Sequence, residues 1–220
     1  MTYRTLSVAM AALLLAGCGQ GAGDSVAMRV IGSLTGQGGG ARPGAAVPVE
    51  TPGFTAQLIA DNPQDFMIAN VPTLGLNQPA RLIRRNGSEE TWQTQGGATL
   101  AFDQGVLVAT RGLIDDLMVI SSAGVPEALR ARSGSVARTV ESIDSLDRLS
   151  SETVTCTFTE DGAETVNLGL REVTLTKITE HCASSKLVFE NAYWLDGSGA
   201  ILQSRQFISA GVGYLQSNRL

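Results

Sequence analysis

Residues 153–159 read Thr-Val-Thr-Cys-Thr-Phe-Thr, and this stretch decides the fold class. Val154, Cys156 and Phe158 alternate with threonines, and a period of two is typical of a strand with one buried face. The stretch therefore predicts a half-buried β-strand in the last third of the chain.

Further strand-like segments lie on both sides of this stretch. Upstream they cover 55–60, 66–71, 90–94, 99–102, 106–110 and 136–143; downstream they cover 165–170, 172–182, 186–195, 200–208 and 212–216. Turn signals separate them, including Asn86-Gly87, Asp161-Gly162 and a loop between Pro72 and Pro79. Many short strands at regular spacing predict a mostly β domain, an antiparallel meander forming a barrel-like or sandwich domain of complex topology.

Helical signals are few. Residues 126–132 read Pro-Glu-Ala-Leu-Arg-Ala-Arg, with proline at the first position, where a helix tolerates it. Residues 113–120 are apolar enough for either a helix or a strand. We expect one or two short helices.

The N-terminus has the pattern of an export signal. Arg4 precedes an apolar run over 8–16, which is far shorter than the roughly 20 residues that span a bilayer. The run ends in Leu15-Ala16-Gly17-Cys18, which resembles the bacterial lipobox. We expect a signal peptide over 1–17, removal of that peptide, and a lipid anchor on Cys18.

Residues after the anchor predict the domain organisation and the location. A lipidated stalk and Gly/Pro-rich linker covers 18–53, and the folded domain covers 54–220. Gly19 stands where an Asp would favour retention in the inner membrane. We therefore expect a lipid-anchored protein on the periplasmic side of the bacterial outer membrane.

Three cysteines leave one pair once Cys18 carries lipid. Cys156 and Cys182 are then expected to form a disulfide in an oxidising compartment. The rival is a metal site of these two cysteines with Glu180 and His181. Neighbours in a strand point to opposite faces, and no further cysteine or histidine completes four ligands, so we predict no metal.

Composition argues against several function classes. The 220-residue chain has a net charge of −5, so we expect no nucleic-acid partner. His181 is the sole histidine, and no Gly-Xaa-Ser-Xaa-Gly motif occurs. We expect no enzymatic activity and no cofactor.

Five residues are candidates for contact with a glycan or a protein partner. Aromatic faces stack on sugar rings, and Arg or Gln side chains hydrogen-bond hydroxyls. The alternative for the aromatic residues is packing in the core. The five are Trp92, Tyr193, Trp194, Arg205 and Gln206.

The C-terminal third resembles the GfcB/YjbF family, the lipoproteins of group 4 capsule and related exopolysaccharide gene clusters. The residues that carry the resemblance are Glu-His-Cys at 180–182, Phe-Glu-Asn-Ala-Tyr-Trp at 189–194 and Gln-Ser-Arg-Gln-Phe at 203–207. Trp92, Cys156 and the stretch 105–113 add to it. The resemblance covers 54–220 and the lipobox.

The resemblance implies a β-rich, barrel-like fold and no catalytic residues to carry over. It also implies an accessory role in capsule or exopolysaccharide production or export. The expected partners are the membrane, through the lipid anchor, together with polysaccharide and other export proteins. An alternative is a periplasmic carrier of lipid or a small ligand inside a β-barrel. An envelope hydrolase is a third hypothesis.

Overall fold

The computed structural model describes residues 53–143 and 149–220. The predicted signal peptide, the lipidation site Cys18 and nearly all of the linker 18–53 lie outside the described residues. Within the described ranges, no helix is long and apolar enough to cross a membrane.

The described chain forms twelve strands, two α-helices and two 3-10 turns. The strands are β1 Phe66–Val71, β2 Leu76–Asn86, β3 Glu89–Thr94, β4 Thr99–Asp103, β5 Val106–Arg111, β6 Val119–Ile120, β7 Ser133–Ile143, β8 Leu149–Asn167, β9 Glu172–Ala183, β10 Val188–Leu195, β11 Ile201–Ser209 and β12 Gly213–Arg219. The helices are α1 Ala56–Asp61 and α2 Val125–Ala131, and the 3-10 turns are Pro63–Asp65 and Pro72–Leu74. The predicted mostly antiparallel β class is confirmed.

All twelve strands belong to one sheet, in the order β5-β4-β3-β2-β1-β12-β11-β10-β9-β8-β7-β6. The first strand of this order, β5, meets the residues that lead into the last strand, β6, at a seam. There the Thr110 N–H donates to the Leu117 carbonyl at 2.9 Å, and Arg111 donates to the carbonyls of Leu117 and Met118. The sheet is therefore a nearly closed barrel, and the predicted barrel-like alternative is the one observed.

The alternation in β8 sets which face is inside. Val154, Cys156 and Phe158 are buried, while the threonines between them are exposed. The inward residues of the other strands meet them in one core, because every second residue of a strand points to the same face. This core fills the inside of the barrel with large side chains, among them Met67, Trp92, Leu100, Phe102, Ile178, Tyr193 and Ile208.

A second, smaller core lies on the outer face of the sheet. Trp194 follows the inward Tyr193 and so points outward, where it packs with Ala192 and with residues of the far half of the β8–β9 hairpin. Those residues are Val166, Leu168 and Leu175. The hairpin changes face because a bulge interrupts β8 between Glu160 and Gly162.

The up-and-down order of the strands gives the barrel two distinct ends. The β2–β3, β4–β5 and β10–β11 turns lie at the same end as the segment that holds α2. We call this the α2 end. The described chain begins near it, since Phe54 packs edge-on against Phe66 at the start of β1.

The structure corrects three local predictions. Residues 55–60 were predicted as a strand, but Thr55 is the N-cap of helix α1 and the residues after it are helical. The Thr55 hydroxyl stabilises the start of the helix by accepting a hydrogen bond from the Leu58 N–H at 3.2 Å. Asp161-Gly162, predicted as a turn, is the bulge of a continuous β8, where Gly162 adopts a φ of +101°. Residues 165–167 consequently belong to β8.

Two other segments also differ from the expectation. The predicted loop between Pro72 and Pro79 is only a 3-10 turn, and Pro79 lies within β2. Residues 113–120, left open between a helix and a strand, are mostly loop and end in the two-residue strand β6. The helix predicted at 126–132 is present as α2.

Candidate functional site

Two polar arrangements stand out in the described part of the chain. One lies inside the barrel, and we call it the interior network: Arg138, Glu180, Asn191 and Tyr193. The other lines a cleft at the α2 end, and we call it the end cleft.

An ion pair forms the centre of the interior network. Arg138 Nη1 donates to both carboxylate oxygens of Glu180, at 2.9 and 3.0 Å, and Arg138 Nε donates to the Ser121 carbonyl at 2.7 Å. The side chains are 1% and 0% exposed. Burial of a charge is costly without a partner, and this geometry supplies one to each ion.

Asn191 and Tyr193 complete the coordination of the carboxylate. Asn191 Nδ2 and the Tyr193 hydroxyl each donate to Glu180 Oε2 at 2.7 Å. Burial raises the pKa of the Tyr193 hydroxyl well above its ordinary value, and the negative charge of Glu180 raises it further. Tyr193 is therefore a neutral donor over the whole physiological pH range.

The disulfide lies beside this network. Cys156 and Cys182 face each other across β8 and β9, and the structure joins them at an S–S distance of 2.02 Å. Their sulfurs lie within 4.8 Å of a Glu180 oxygen. Disulfide sulfurs offer no thiolate to a metal, and both oxygens of Glu180 already accept hydrogen bonds, so these residues do not fit the metal site considered from the sequence. His181 points to the outer face and is exposed.

Gln206 connects opposite parts of the barrel from inside. Its Oε1 accepts from the Leu107 N–H at 2.7 Å. Its Nε2 donates to the Gly105 carbonyl at 3.1 Å and to the Ser204 hydroxyl at 2.9 Å. Gln206 is thus a structural bridge between β11 and the β4–β5 hairpin, positioned by burial.

The end cleft is lined by three turns, helix α2 and the end of β12, and its volume is about 510 Å³. Ionisable side chains on its wall are Glu90, Arg130 and Arg219. Arg219 Nη2 donates to Glu90 Oε2 at 2.6 Å, and Trp92 Nε1 donates to the same oxygen at 3.2 Å. Arg85 binds the other carboxylate oxygen.

Burial alone would raise the pKa of Glu90, but hydrogen bonds and a neighbouring positive charge lower this pKa by more than burial raises it. The hydrogen bond and charge of Arg219, with further hydrogen bonds from Arg85 and Trp92, hold the Glu90 pKa below its ordinary value. Glu90 is therefore a carboxylate at neutral pH. The Arg219 guanidinium also lies 5.3 Å from the centre of the Trp92 ring.

The five residues predicted to contact a glycan or partner do not form one surface. Trp92, Tyr193 and Gln206 are buried inside the barrel, and Trp194 is buried in the outer core. Arg205 is half-buried, with its guanidinium carbon 3.5 Å from the centre of the Tyr214 ring. Contact with a glycan through these five stays a prediction, and in this structure the four buried side chains have no open face.

Sequence reasoning missed Arg138 and considered Glu180 only as a metal ligand. A signal for both was present in the sequence. Arg138 stands between Val136 and Val140, and Glu180 stands between Ile178 and Cys182, so each charge occupies an inward position of a strand. Two opposite charges at inward positions predict a buried pair.

Comparison with solved structures places the fold. The chain resembles the crystal structure of the hypothetical lipoprotein YmcC from Escherichia coli (K12), with a TM-score of 0.62 and 23% sequence identity. The likeness covers 74% of this chain and 88% of that one. The chain is therefore a β-barrel domain with the fold of YmcC.

Sequence comparison adds the family. The model of the family described as group 4 capsule polysaccharide lipoprotein gfcB, YjbF matches residues 45–220, and the chain belongs to this family. This confirms the resemblance seen in the sequence.

Two Escherichia coli (strain K12) proteins are relatives of this chain. It is 28% identical to the uncharacterized lipoprotein GfcB over 165 residues, which cover 70% of this chain and 77% of GfcB. It is 27% identical to the uncharacterized lipoprotein YjbF over 126 residues, which cover 56% of this chain. That second match spans 59% of the length of YjbF.

Proposed function

We propose that this chain is an accessory lipoprotein of capsule or exopolysaccharide production or export. The observation that carries the proposal is the family match over residues 45–220, in a chain whose first 18 residues end in a lipobox. The barrel is held to the membrane through Cys18 and acts by contacting polysaccharide or other export proteins.

Its place is the periplasmic side of the outer membrane. Gly19 supports this location, since the residue that favours inner-membrane retention is absent from that position. In the proposed organisation the signal peptide covers 1–17, the lipidated linker 18–53 and the barrel 54–220. The family match begins at residue 45 and so includes the last part of the linker.

The role is proposed to be non-catalytic. Catalytic acids and bases need access to a substrate, whereas Arg138, Glu180 and Tyr193 are enclosed and bonded to one another. His181 is exposed on the outer face, on the other side of the sheet from these groups. The arrangement favours a structural use of the interior network.

A carrier function finds no support in the barrel interior. Core side chains fill the inside of the described barrel, and the Gln206 bridge crosses it. The end cleft opens on the outside and is lined by more polar than apolar groups, unlike a lipid-binding chamber. The accessory role is therefore the one we retain.

Deletion of the gene tests the proposal. Cell-surface polysaccharide is expected to fall in the deletion strain and to return on complementation with the wild-type gene. Intracellular polysaccharide, measured in parallel, separates a defect in export from a defect in synthesis. Unchanged surface polysaccharide in the deletion strain would contradict the role.

A further inference from the structure

The end cleft has the dimensions of a ligand site. Its volume of about 510 Å³ falls within the range of about 300–1,000 Å³ that small-molecule sites occupy. Three separate turns contribute Ser88, Gln104 and Ser198, and α2 contributes Arg130. Polar side chains from distant parts of the sequence therefore converge on one concave surface.

Two arginines keep donors available to a ligand. A guanidinium has five N–H donors. Arg130 uses Nη2 on Glu127 and Nη1 on Gln104, the latter at 3.5 Å, and its side chain is 54% exposed. Arg219 uses Nη2 on Glu90 and is 27% exposed. Among the described residues, the remaining N–H groups of both arginines have no acceptor, and a planar carboxylate matches such donors.

The walls of the cleft are held in place by their own bonds. Asp196 Oδ1 accepts from the N–H groups of Ser198 and Ala200 at 2.8 and 3.0 Å, which fixes the β10–β11 turn. Gly105 packs so closely that an added Cβ would lie 3.0 Å from Ile201 Cδ1. A site whose shape exists before binding loses less entropy when a ligand arrives.

We propose that the end cleft binds a short segment of an acidic polysaccharide. Arg130 and Arg219 receive a sugar carboxylate, while Ser88, Ser198 and Gln104 hydrogen-bond sugar hydroxyls. This inference rests on the proposed function and adds to it a ligand class and a place on the barrel.

Calorimetric titration of the full-length lipidated protein in detergent tests the inference. The probes are trigalacturonate, the neutral trisaccharide maltotriose and inorganic phosphate. We expect trigalacturonate to bind at least tenfold more tightly than either of the other two. Absence of trigalacturonate binding, or phosphate binding of equal strength, would overturn the proposal, the latter because it indicates a simple anion site.

Two variants locate the binding. Arg130→Ala removes the more exposed arginine of the cleft. Ala200→Glu places a negative charge, of the same sign as the ligand's carboxylate, at an exposed position of the cleft wall. Each is expected to weaken trigalacturonate binding at least tenfold. Arg171→Ala is the matched control, since Arg171 is exposed and does not line the end cleft, and this variant is expected to bind as the wild type does. Equal binding by all four proteins would refute the site.

The same variants separate this inference from the proposed function. If the deletion strain loses surface polysaccharide and Arg130→Ala or Ala200→Glu restores it fully, the cleft is not the site and the accessory role stands. If the deletion changes nothing, the role itself fails. We expect partial restoration by the two cleft variants and full restoration by Arg171→Ala.

Discussion

Arg138 and Glu180 form a doubly hydrogen-bonded ion pair between β7 and β9, although 42 positions separate them and neither side chain reaches the solvent. The pair links two strands that lie on opposite sides of β8 in the sheet. The ion pair therefore connects β7 to β9 inside the barrel, next to the Cys156–Cys182 disulfide.

Glu180→Gln is expected to destabilise the fold strongly. The substitution leaves the Arg138 charge buried without a counter-charge, and breaking one partner of a buried pair costs about 3–5 kcal/mol. Urea unfolding measures the change. Glu160→Gln is the control, because it breaks the exposed Arg132–Glu160 pair, which contributes about 0–1 kcal/mol. An equal loss of unfolding free energy in the two variants would show that the buried pair stabilises the fold no more than an exposed pair does.

Removing the disulfide is expected to lower the free energy of unfolding by about 3 kcal/mol. Cys156 and Cys182 are 26 positions apart, and a cross-link of this span restricts the unfolded chain by about that amount. The double variant Cys156→Ala with Cys182→Ala, compared with wild-type protein in dithiothreitol, provides the measurement. Both samples should lose similar stability, and an unfolding midpoint that stays at the oxidised wild-type value in both would contradict the expectation.

Tyr193 makes stability depend on pH on the alkaline side. Its pKa is raised in the folded protein, so the stability that it contributes is complete below its ordinary pKa of 10.0 and is lost as the pH rises above that value. Tyr193→Phe is expected to cost about 1–2 kcal/mol at pH 7, through loss of the bond to Glu180. The variant should also lose less stability than the wild type between pH 9 and pH 11. Parallel pH profiles would contradict this role.

The strand pattern of the last third could be predicted from the sequence, because alternation is a local property. Residues 153–159 alternate in β8 as expected, and Pro126 lies in the first turn of α2. The Cys156–Cys182 pairing followed from counting cysteines. These features depend only on residues close together in the chain or on the number of cysteines, and both can be taken directly from one sequence.

The pairing of the first strand with the last could not be predicted in the same way. β1 pairs with β12, and Asn70 donates to Gln216 at a separation of 146 residues. Nothing in either local pattern specifies that partner, because both strands show ordinary alternation. The end cleft could not be predicted from the sequence for the same reason, since its residues come from turns that become neighbours only when the sheet closes into a barrel.

Helix α1 was missed for a different reason. Residues 55–60 contain β-compatible side chains, yet the Thr55 cap and the Asn62 side chain, which donates to the Leu58 carbonyl, stabilise one helical turn and its end. Capping side chains therefore outweighed local composition. The cap residue is of a type that helix N-termini prefer, and this is the one signal for α1 that the sequence offered.

Complementation of the deletion strain with Cys18→Ser tests the central claim most directly. The claim is that the barrel serves polysaccharide production or export while anchored to a membrane through Cys18. We predict that the variant protein carries no lipid and that surface polysaccharide stays at the level of the deletion strain. Full recovery of surface polysaccharide by a variant that carries no lipid would contradict the account.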